Sequence, residues 1–390
     1  MTPRAGDRSR RSSRLVLAAS LTGTAVLAGC GGGGGPGAAA APASAGTASL
    51  ATSMTTATGA TWAIVAMGGS AAAENQFWEL FARPAAGGQW QLVTPPGVAD
   101  NGGLVAAGGP ASVTVAFRPS QGLTFSPLAV TSDVGKTWAA GLIDAPVAGV
   151  PDALAVGDGA TLALLGDGTV QQAAAVGANW TRLAAPGAIA SSAAGRQCQI
   201  TSLTAVAYTP SGTPLAAASC ARPGVVGVFA RSGSTWQAAG PVLAGGLTGR
   251  QVTVLRLTGT SAGDVALLRA GAGGGAVLLT AWTSDGTGWA VSSPLAVGAS
   301  PVTASGTGSG DAAWVLLADG RAYALSGPGG GWRRLPTPPA GTAALAAGPG
   351  DAVEALAAAG GKLTVYRLSA TGAWDELQTL SVPIQYGSSS

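Results

Sequence analysis

The sequence predicts an all-β fold, a seven-bladed β-propeller of four-stranded antiparallel blades, preceded by an export signal and a flexible linker. Three observations predict it. Seven tryptophans, Trp90, Trp138, Trp180, Trp236, Trp289, Trp332 and Trp374, recur at gaps of 48, 42, 56, 53, 43 and 42 residues. Each follows a small or polar turn, as in Gly87-Gly88-Gln89-Trp90, and a period of roughly 40–55 residues made of short strands is how a propeller reads in sequence. The segments between them split into short apolar runs joined by turns such as Gly157-Asp158-Gly159 and Gly166-Asp167-Gly168, where Gly and Asp tolerate positive φ. The amphipathic crossover helices of a parallel α/β sheet are missing.

Taken in chain order, residues 1–29 open with Arg4, Arg8, Arg10, Arg11 and Arg14 and continue as an apolar run from Leu15 to Gly29. This is the layout of a secretory signal, and the run is shorter than the roughly 20 residues of a membrane-spanning helix. The Arg10-Arg11 pair is a weak match to a twin-arginine signal, because Ser13 stands where an apolar residue belongs. The ending Leu27-Ala28-Gly29-Cys30 resembles the lipobox of bacterial lipoproteins. That resemblance implies a lipidated Cys30 as the mature N-terminus, so that the only membrane contact is a lipid anchor on the extracytoplasmic face of a bacterial cell. Residues 30–47 then read as the lipidated Cys and a Gly/Ala/Pro-rich tether that cannot bury a core. Loss of the signal takes five arginines and one aspartate from 20 basic and 17 acidic residues, leaving 15 against 16 and a net charge of −1. Nothing there favours nucleic acid, which calls for a basic stripe on the domain itself.

Residues 48–386 form the propeller, with 387–390 as a tail. In the third blade the four strands are Asp152–Val156, Thr161–Leu165, Thr169–Ala174 and Asn179–Leu183. In the sixth, Ala312–Leu317 and Arg321–Leu325 precede the strand that Trp332 opens. In the seventh, Ala343–Ala347, Val353–Leu356 and Lys362–Arg367 precede Trp374. The inner strands are near-continuous apolar runs, as strands packed on both faces must be. Two ring closures are open to the sequence: the stretch Leu377–Tyr386 pairing with the first blade, or a complete first blade drawn from Ser49 to Trp90 alone.

Thr131-Ser132-Asp133-Val134-Gly135-Lys136-Thr137-Trp138 resembles the Asp-box of BNR and sialidase-like propellers, with Asp133, Gly135, Thr137 and Trp138 in register. The other turns keep only fragments, as in Thr283-Ser284-Asp285-Gly286-Thr287-Gly288-Trp289. The resemblance implies a folding element on the turn between third and fourth strands, away from the catalytic face of that family. It also supplies an enzymatic alternative, a sialidase-like glycoside hydrolase working through carboxylates. That family carries an arginine triad, a Tyr–Glu pair and a Phe/Tyr-Arg-Ile-Pro segment on a six-bladed ring. Phe81-Ala82-Arg83-Pro84 does not fit the segment, and none of the four tyrosines falls on an inner strand at the funnel mouth.

Cys198 and Cys220 mirror each other about residue 209, where Pro210-Ser211-Gly212 turns a hairpin between Ile200–Tyr208 and Pro214–Ser219. An antiparallel pairing sets them nearly opposite, and an exported chain meets an oxidising compartment, so a structural disulfide is expected. A reactive or metal-binding pair is the alternative. The chain has no His, which removes imidazole catalysis and His-ligated zinc. No cofactor and no metal are expected.

One constellation points to ligand binding. Loops from fourth to first strands and from second to third strands share one face. Arg118, Arg222 and Arg269 end second strands there, Arg321 begins a third strand, and Arg196 and Arg250 lie on loops between blades. Convergent guanidinium groups would hold an anionic group by charge-assisted hydrogen bonds. The opposing reading is a solvated rim balanced by Asp100, Asp144, Asp152, Asp167 and Asp319. The function expected is a monomeric, non-catalytic recognition or scaffold module for a protein, peptide or cell-envelope glycan.

Overall fold

The computed structural model describes residues 48–380 except 58–59, 68–76, 85–86, 96–102, 108–112, 118–126, 143–150, 158, 174–179, 261, 287, 308–311, 326–329, 348–351 and 360–361. The signal, Cys30, the tether, Arg118 and the tail lie outside the described residues.

The chain lays down antiparallel meanders one after another. The first is β1 (Ala48–Ala57), β2 (Ala60–Met67), β3 (Phe77–Arg83) and β4 (Gln91–Leu92). The second is β5 (Gly103–Ala107), β6 (Val113–Phe117), β7 (Pro127–Thr131) and β8 (Ala139–Leu142). The third is β9 (Ala153–Gly157), β10 (Ala160–Leu164), β11 (Val170–Ala173) and β12 (Thr181–Ala184). Two short helices follow, α1 (Ala188–Ser191) and α2 (Ala193–Cys198). The fourth is β13 (Ile200–Tyr208), β14 (Pro214–Cys220), β15 (Gly227–Ser232) and β16 (Thr235–Ala238). The fifth is β17 (Val252–Thr260), β18 (Gly263–Ala270) and β19 (Val277–Thr283), with a fourth strand broken at Pro294 into β20 (Ala290–Val291) and β21 (Leu295–Ala296). The sixth is β22 (Val302–Thr307), β23 (Ala313–Leu317), β24 (Ala322–Leu325) and β25 (Trp332–Arg334). The last is β26 (Thr342–Ala347), β27 (Val353–Ala359), β28 (Lys362–Leu368) and β29 (Trp374–Leu380).

The first strands stand side by side around an axis. β1 lies against β5, β5 against β9, and so on through β13, β17 and β22 to β26, which returns to β1. Ala, Gly, Ser and Thr fill much of these strands, which suits the crowding near an axis. The ladder with the second strand slips once in β17, β22 and β26 and twice in β13, leaving Leu255, Thr303, Ala343 and, in β13, Thr201 and Thr204 unpaired. Such bulges sharpen local twist. Second strands form the apolar layer of each blade: Leu162, Leu164, Ala216, Ala266, Leu267, Leu268, Val315 and Ala355 are all 1% exposed or less.

The recurrent tryptophans mark the fourth strands. Each opens one, immediately precedes one or, for Trp236, sits one residue into it. Their rings pack on the preceding sheet: Trp236 on Leu162 and Leu164, Trp332 on Leu267 and Leu278, Trp374 on Trp314 and Leu316. Trp90 packs on Leu356 and Val365 of the last sheet. Trp289 Nε1 donates to Ala239 O at 2.7 Å and Trp374 Nε1 to Pro336 O at 3.2 Å, each a carbonyl just past the preceding sheet's fourth strand. A tryptophan of this kind buries roughly 150–250 Å². At about 25 cal/mol per Å² that is roughly 4–6 kcal/mol of inter-sheet adhesion for each ring.

Candidate recognition face

The junction of the fourth and fifth sheets is built differently from the others. At their ends β14 pairs directly with β17, Ser219 with Thr253 and Cys220 with Val252, so the two meanders fuse into one nine-stranded sheet. Cys198 and Cys220 form a disulfide with Cα atoms 5.0 Å apart. The cysteines are not cross-strand partners as the hairpin symmetry suggests. Ile200 pairs with Cys220, and Cys198 sits at the end of α2, so the bridge ties a helical insert to a strand. That insert has its own logic. Ser192 caps α2 by accepting from Gly195 N at 3.0 Å. A Cβ on Gly195 would come within 2.0 Å of Ile189 O, so only glycine lets α1 and α2 meet.

Four of the expected rim arginines belong to this junction. Arg196 lies on α2 and donates to Ser191 O. Arg222 follows β14, and its backbone N donates to Cys198 O at 3.2 Å. Arg250 precedes β17; its guanidinium is spent on Gly246 O and Gly275 O, and its own carbonyl accepts from Gly224 N. Arg269 lies in β18 opposite Thr253, half-buried, with a buried Nε. Arg321, in the sixth sheet, is paired with Asp319 at 2.7 Å and also donates to Val297 O at 3.1 Å. Its hydrogen bonds hold the Asp319 carboxyl down at about 2. Arg118 lies outside the described residues. The junction therefore gathers Arg196, Arg222, Arg250 and Arg269 on neighbouring segments, and of these four only Arg222 is exposed with no side-chain partner among the described residues. Beside it in the chain order, the connection from β16 carries Val242, 91% exposed. On the same face a cleft of about 460 Å³ opens between the sixth and last sheets, lined by Thr303, Leu317, Gly320, Thr337, Pro338 and Thr342, among others.

The Asp133 turn lies at the other end of the strands. Asp133 Oδ1 accepts from Thr137 N at 2.9 Å and from Thr131 Oγ1 at 2.8 Å, and Oδ2 accepts from Thr137 Oγ1 at 2.5 Å. The bonds from Thr137 chiefly, with Thr131, lower its pKa to about 2. Val134 and Gly135 take positive φ there, and Trp138 packs on the core of the first two sheets. Thr283 and Asp285 repeat the pattern: Thr283 Oγ1 donates to Asp285 Oδ1 at 3.0 Å, and Gly288 N donates to the same oxygen at 3.0 Å. These carboxylates are acceptors for their own turns.

The three glutamates among the described residues are also engaged, Glu376 by Thr379 Oγ1 at 3.1 Å. Glu79 accepts from Thr94 Oγ1. Glu354, 0% exposed, accepts from Arg83 at 2.5 Å and from Arg367 at 2.8 Å. Among the described residues no three His, Cys, Asp or Glu side chains come together as a metal site. Sequence reasoning passed over three features: this ion pair, the buried Asp264 on β18, and Arg256 on β17. Only the last carried a readable signal, as a lone charge in an inner strand.

No protein-family model matches the chain, and no curated protein matches it. Solved structures do. The β-propeller domain of the Trilobed protease from Pyrococcus furiosus is 8% identical with a TM-score of 0.51, over 86% of this chain and 96% of that one. The periplasmic gluconolactonase of Pseudomonas aeruginosa is 15% identical with a TM-score of 0.50, over 78% and 92%. YCF48 from Cyanidioschyzon merolae is 14% identical with a TM-score of 0.47, over 81% and 94%. The fold is a β-propeller. Identities this low carry the architecture of the propeller and nothing about its chemistry.

Proposed function

We propose that this propeller has seven blades, is anchored through a lipid on Cys30 at the extracytoplasmic face of the membrane, and works as a non-catalytic recognition or scaffold module. Its partner is a protein, a peptide or a cell-envelope glycan, met by the loop-bearing face of a monomer at the end of the 31–47 tether. Kinship with BNR propellers through the Asp133 turn belongs to the same reading. The observation that carries it is the stiffened junction of the fourth and fifth sheets. A disulfide, a strand pairing between meanders and the α1–α2 insert fix the backbone there. On that fixed backbone stand an exposed cation, Arg222, and an apolar side chain 91% in solvent, Val242. Preorganised loops lose little entropy on binding, and arginine is among the residues that most often anchor an interface.

The test is capture by the immobilised chain from its own cell envelope, with three variants in parallel. Arg222→Glu and Val242→Asp are expected to lose the captured species, while Asp133→Asn on the opposite face retains it. Capture indifferent to both loop-face changes would defeat this reading. The second reading, a glycoside hydrolase, needs two carboxyl groups about 5–9.5 Å apart across a pocket. Hydrolysis of a fluorogenic glycoside that vanishes in a carboxylate-to-amide variant would establish it instead.

A further inference from the structure

The first strands of all the sheets are built of uncharged side chains with one exception. Arg256 on β17 is the only charged residue in β1, β5, β9, β13, β17, β22 and β26. The bulge at Leu255 sets its direction. Leu255 turns into the core shared with the sixth sheet and Leu257 into the core shared with the fourth. Arg256, between them, is exposed on a strand that lines the axis. One residue past the equivalent bulge, β13, β22 and β26 place Ala205, Ala304 and Ala344, so Arg256 is a cation at a position where these strands carry alanine. Solvent reaches the group while protein surrounds it, and that loss of bulk water lowers its pKa.

The guanidinium is held from one side. Nε donates to Ser305 Oγ at 3.1 Å across the gap between β17 and β22, which Thr258 and Thr307 also bridge at 2.7 Å. No carboxylate reaches Arg256 within ion-pair distance among the described residues; the pairs found belong to Arg83, Arg321 and Arg367. With Nε engaged, the two terminal NH2 groups present the end-on fork that matches the two oxygens of a carboxylate. One cation among hydroxyls suits a monoanion better than a phosphate dianion, which would bring a second, unmatched charge into a site shielded from bulk water. There is also a way in. Thr303, two residues before Ser305 on β22, is exposed and lines the cleft on the loop-bearing face.

We propose that Arg256 anchors an axial site for a single carboxylate, supplied by a small organic acid or by the free end of a peptide. The site goes beyond the loop-face reading and does not depend on it. Arginine-selective labelling of the full chain with phenylglyoxal, read peptide by peptide in a mass spectrometer, tests it without any substitution. Acetate, galacturonate or an N-acetylated tripeptide with a free carboxylate should protect Arg256 saturably and leave Arg222 reactive. The C-terminal amide of the same tripeptide should give no protection. Protection by the sugar acid but not the peptide assigns a small organic acid, and the reverse assigns a peptide end. In calorimetry, Arg256→Gln should weaken binding about tenfold or more, as loss of a charge-assisted pair predicts, and Ser305→Ala should weaken it less. The site is overturned if no carboxylate protects Arg256, if the amide protects equally, if inorganic phosphate outcompetes the carboxylates, or if affinity survives Arg256→Gln.

Discussion

A carboxyl group buried without a cation beside it keeps its proton near neutral pH, and Asp264 is such a group. It is 1% exposed and faces Gly259 and Thr283 across the ladders of β18. Its Oδ1 has no hydrogen-bond partner among the described residues. Burial pushes its pKa up to about 7, whereas the unfolded chain titrates it at about 3.9. The folded protein therefore holds the extra proton between those values, and stability falls as pH rises from about 4 to about 7. Asp264→Asn removes this dependence at nearly constant shape. The variant is expected to gain about 1–4 kcal/mol over the parent at pH near 8 and much less at pH near 4, by urea denaturation at the two pH values. Parallel pH profiles in parent and variant would clear Asp264 of the effect. Asp133 shows the opposite case: a solvent-side carboxylate held ionised by Thr137 and Thr131, with pKa about 2. One residue type takes both behaviours because hydrogen-bond donors surround the second, whereas burial dominates the first.

At the scale of elements, the α1–α2 insert depends on one covalent tie. The Cys198–Cys220 bridge closes a separation of 22 residues, for which loop-closure entropy gives a stabilisation of about 3 kcal/mol. α1 and α2 have 4 and 6 residues, too few to hold helical structure unaided. Reduction is therefore expected to raise hydrogen exchange first in Ala188–Cys198 and at the β14–β17 pairing, while β26–β29 keep their protection. Uniform loss of protection would mean instead that the bridge supports the whole ring. The insert also shows where sequence reading stops. The meanders were legible because short apolar runs and Gly-rich turns are local signals, and the tryptophans repeat them. Gly187–Cys198 is mostly Ala, Ser and Gly with no apolar period, so its helices left only a cap residue, Ser192, to betray them. The cysteine pair was legible as a pair but not in its setting: with Tyr208 opposite Pro214 the hairpin turns about residue 211 rather than 209, and even after two register slips Cys220 faces Ile200. The engagement of Arg321 with Asp319, and of Arg196 and Arg250 with backbone carbonyls, depends on loop conformation that no sequence window encodes.

At the scale of the whole molecule the question is what shuts the ring. Among the described residues the first sheet is made only from β1–β4 and the last only from β26–β29, and side chains join the two. Gln378 on β29 accepts from Trp90 N at 2.7 Å and donates to Trp90 O at 3.0 Å, standing in for a backbone partner across the seam. Deeper in, Arg83 on β3 reaches Glu354 on β27 at 2.5 Å, with exposures of 2% and 0%. Arg367 donates to the same oxygen from 2.8 Å, and the Arg83 guanidinium lies 5.5 Å from the centre of the Trp90 ring. These residues are 271 positions apart in the chain, which is why no local pattern announced them. A buried pair of this kind adds little over an apolar pair of equal volume, but removing one partner strands the other charge. Glu354→Gln is therefore expected to cost about 3–5 kcal/mol and to open the seam before anything else, seen as faster hydrogen exchange in β1–β4 and β26–β29 with β13–β16 still protected. Arg83→Met combined with Glu354→Leu should recover most of that loss, because it removes both charges and leaves apolar volume behind. If the double variant is as unstable as the single one, the seam needs the ion pair itself, and closure is set by charge geometry rather than by packing around Trp90.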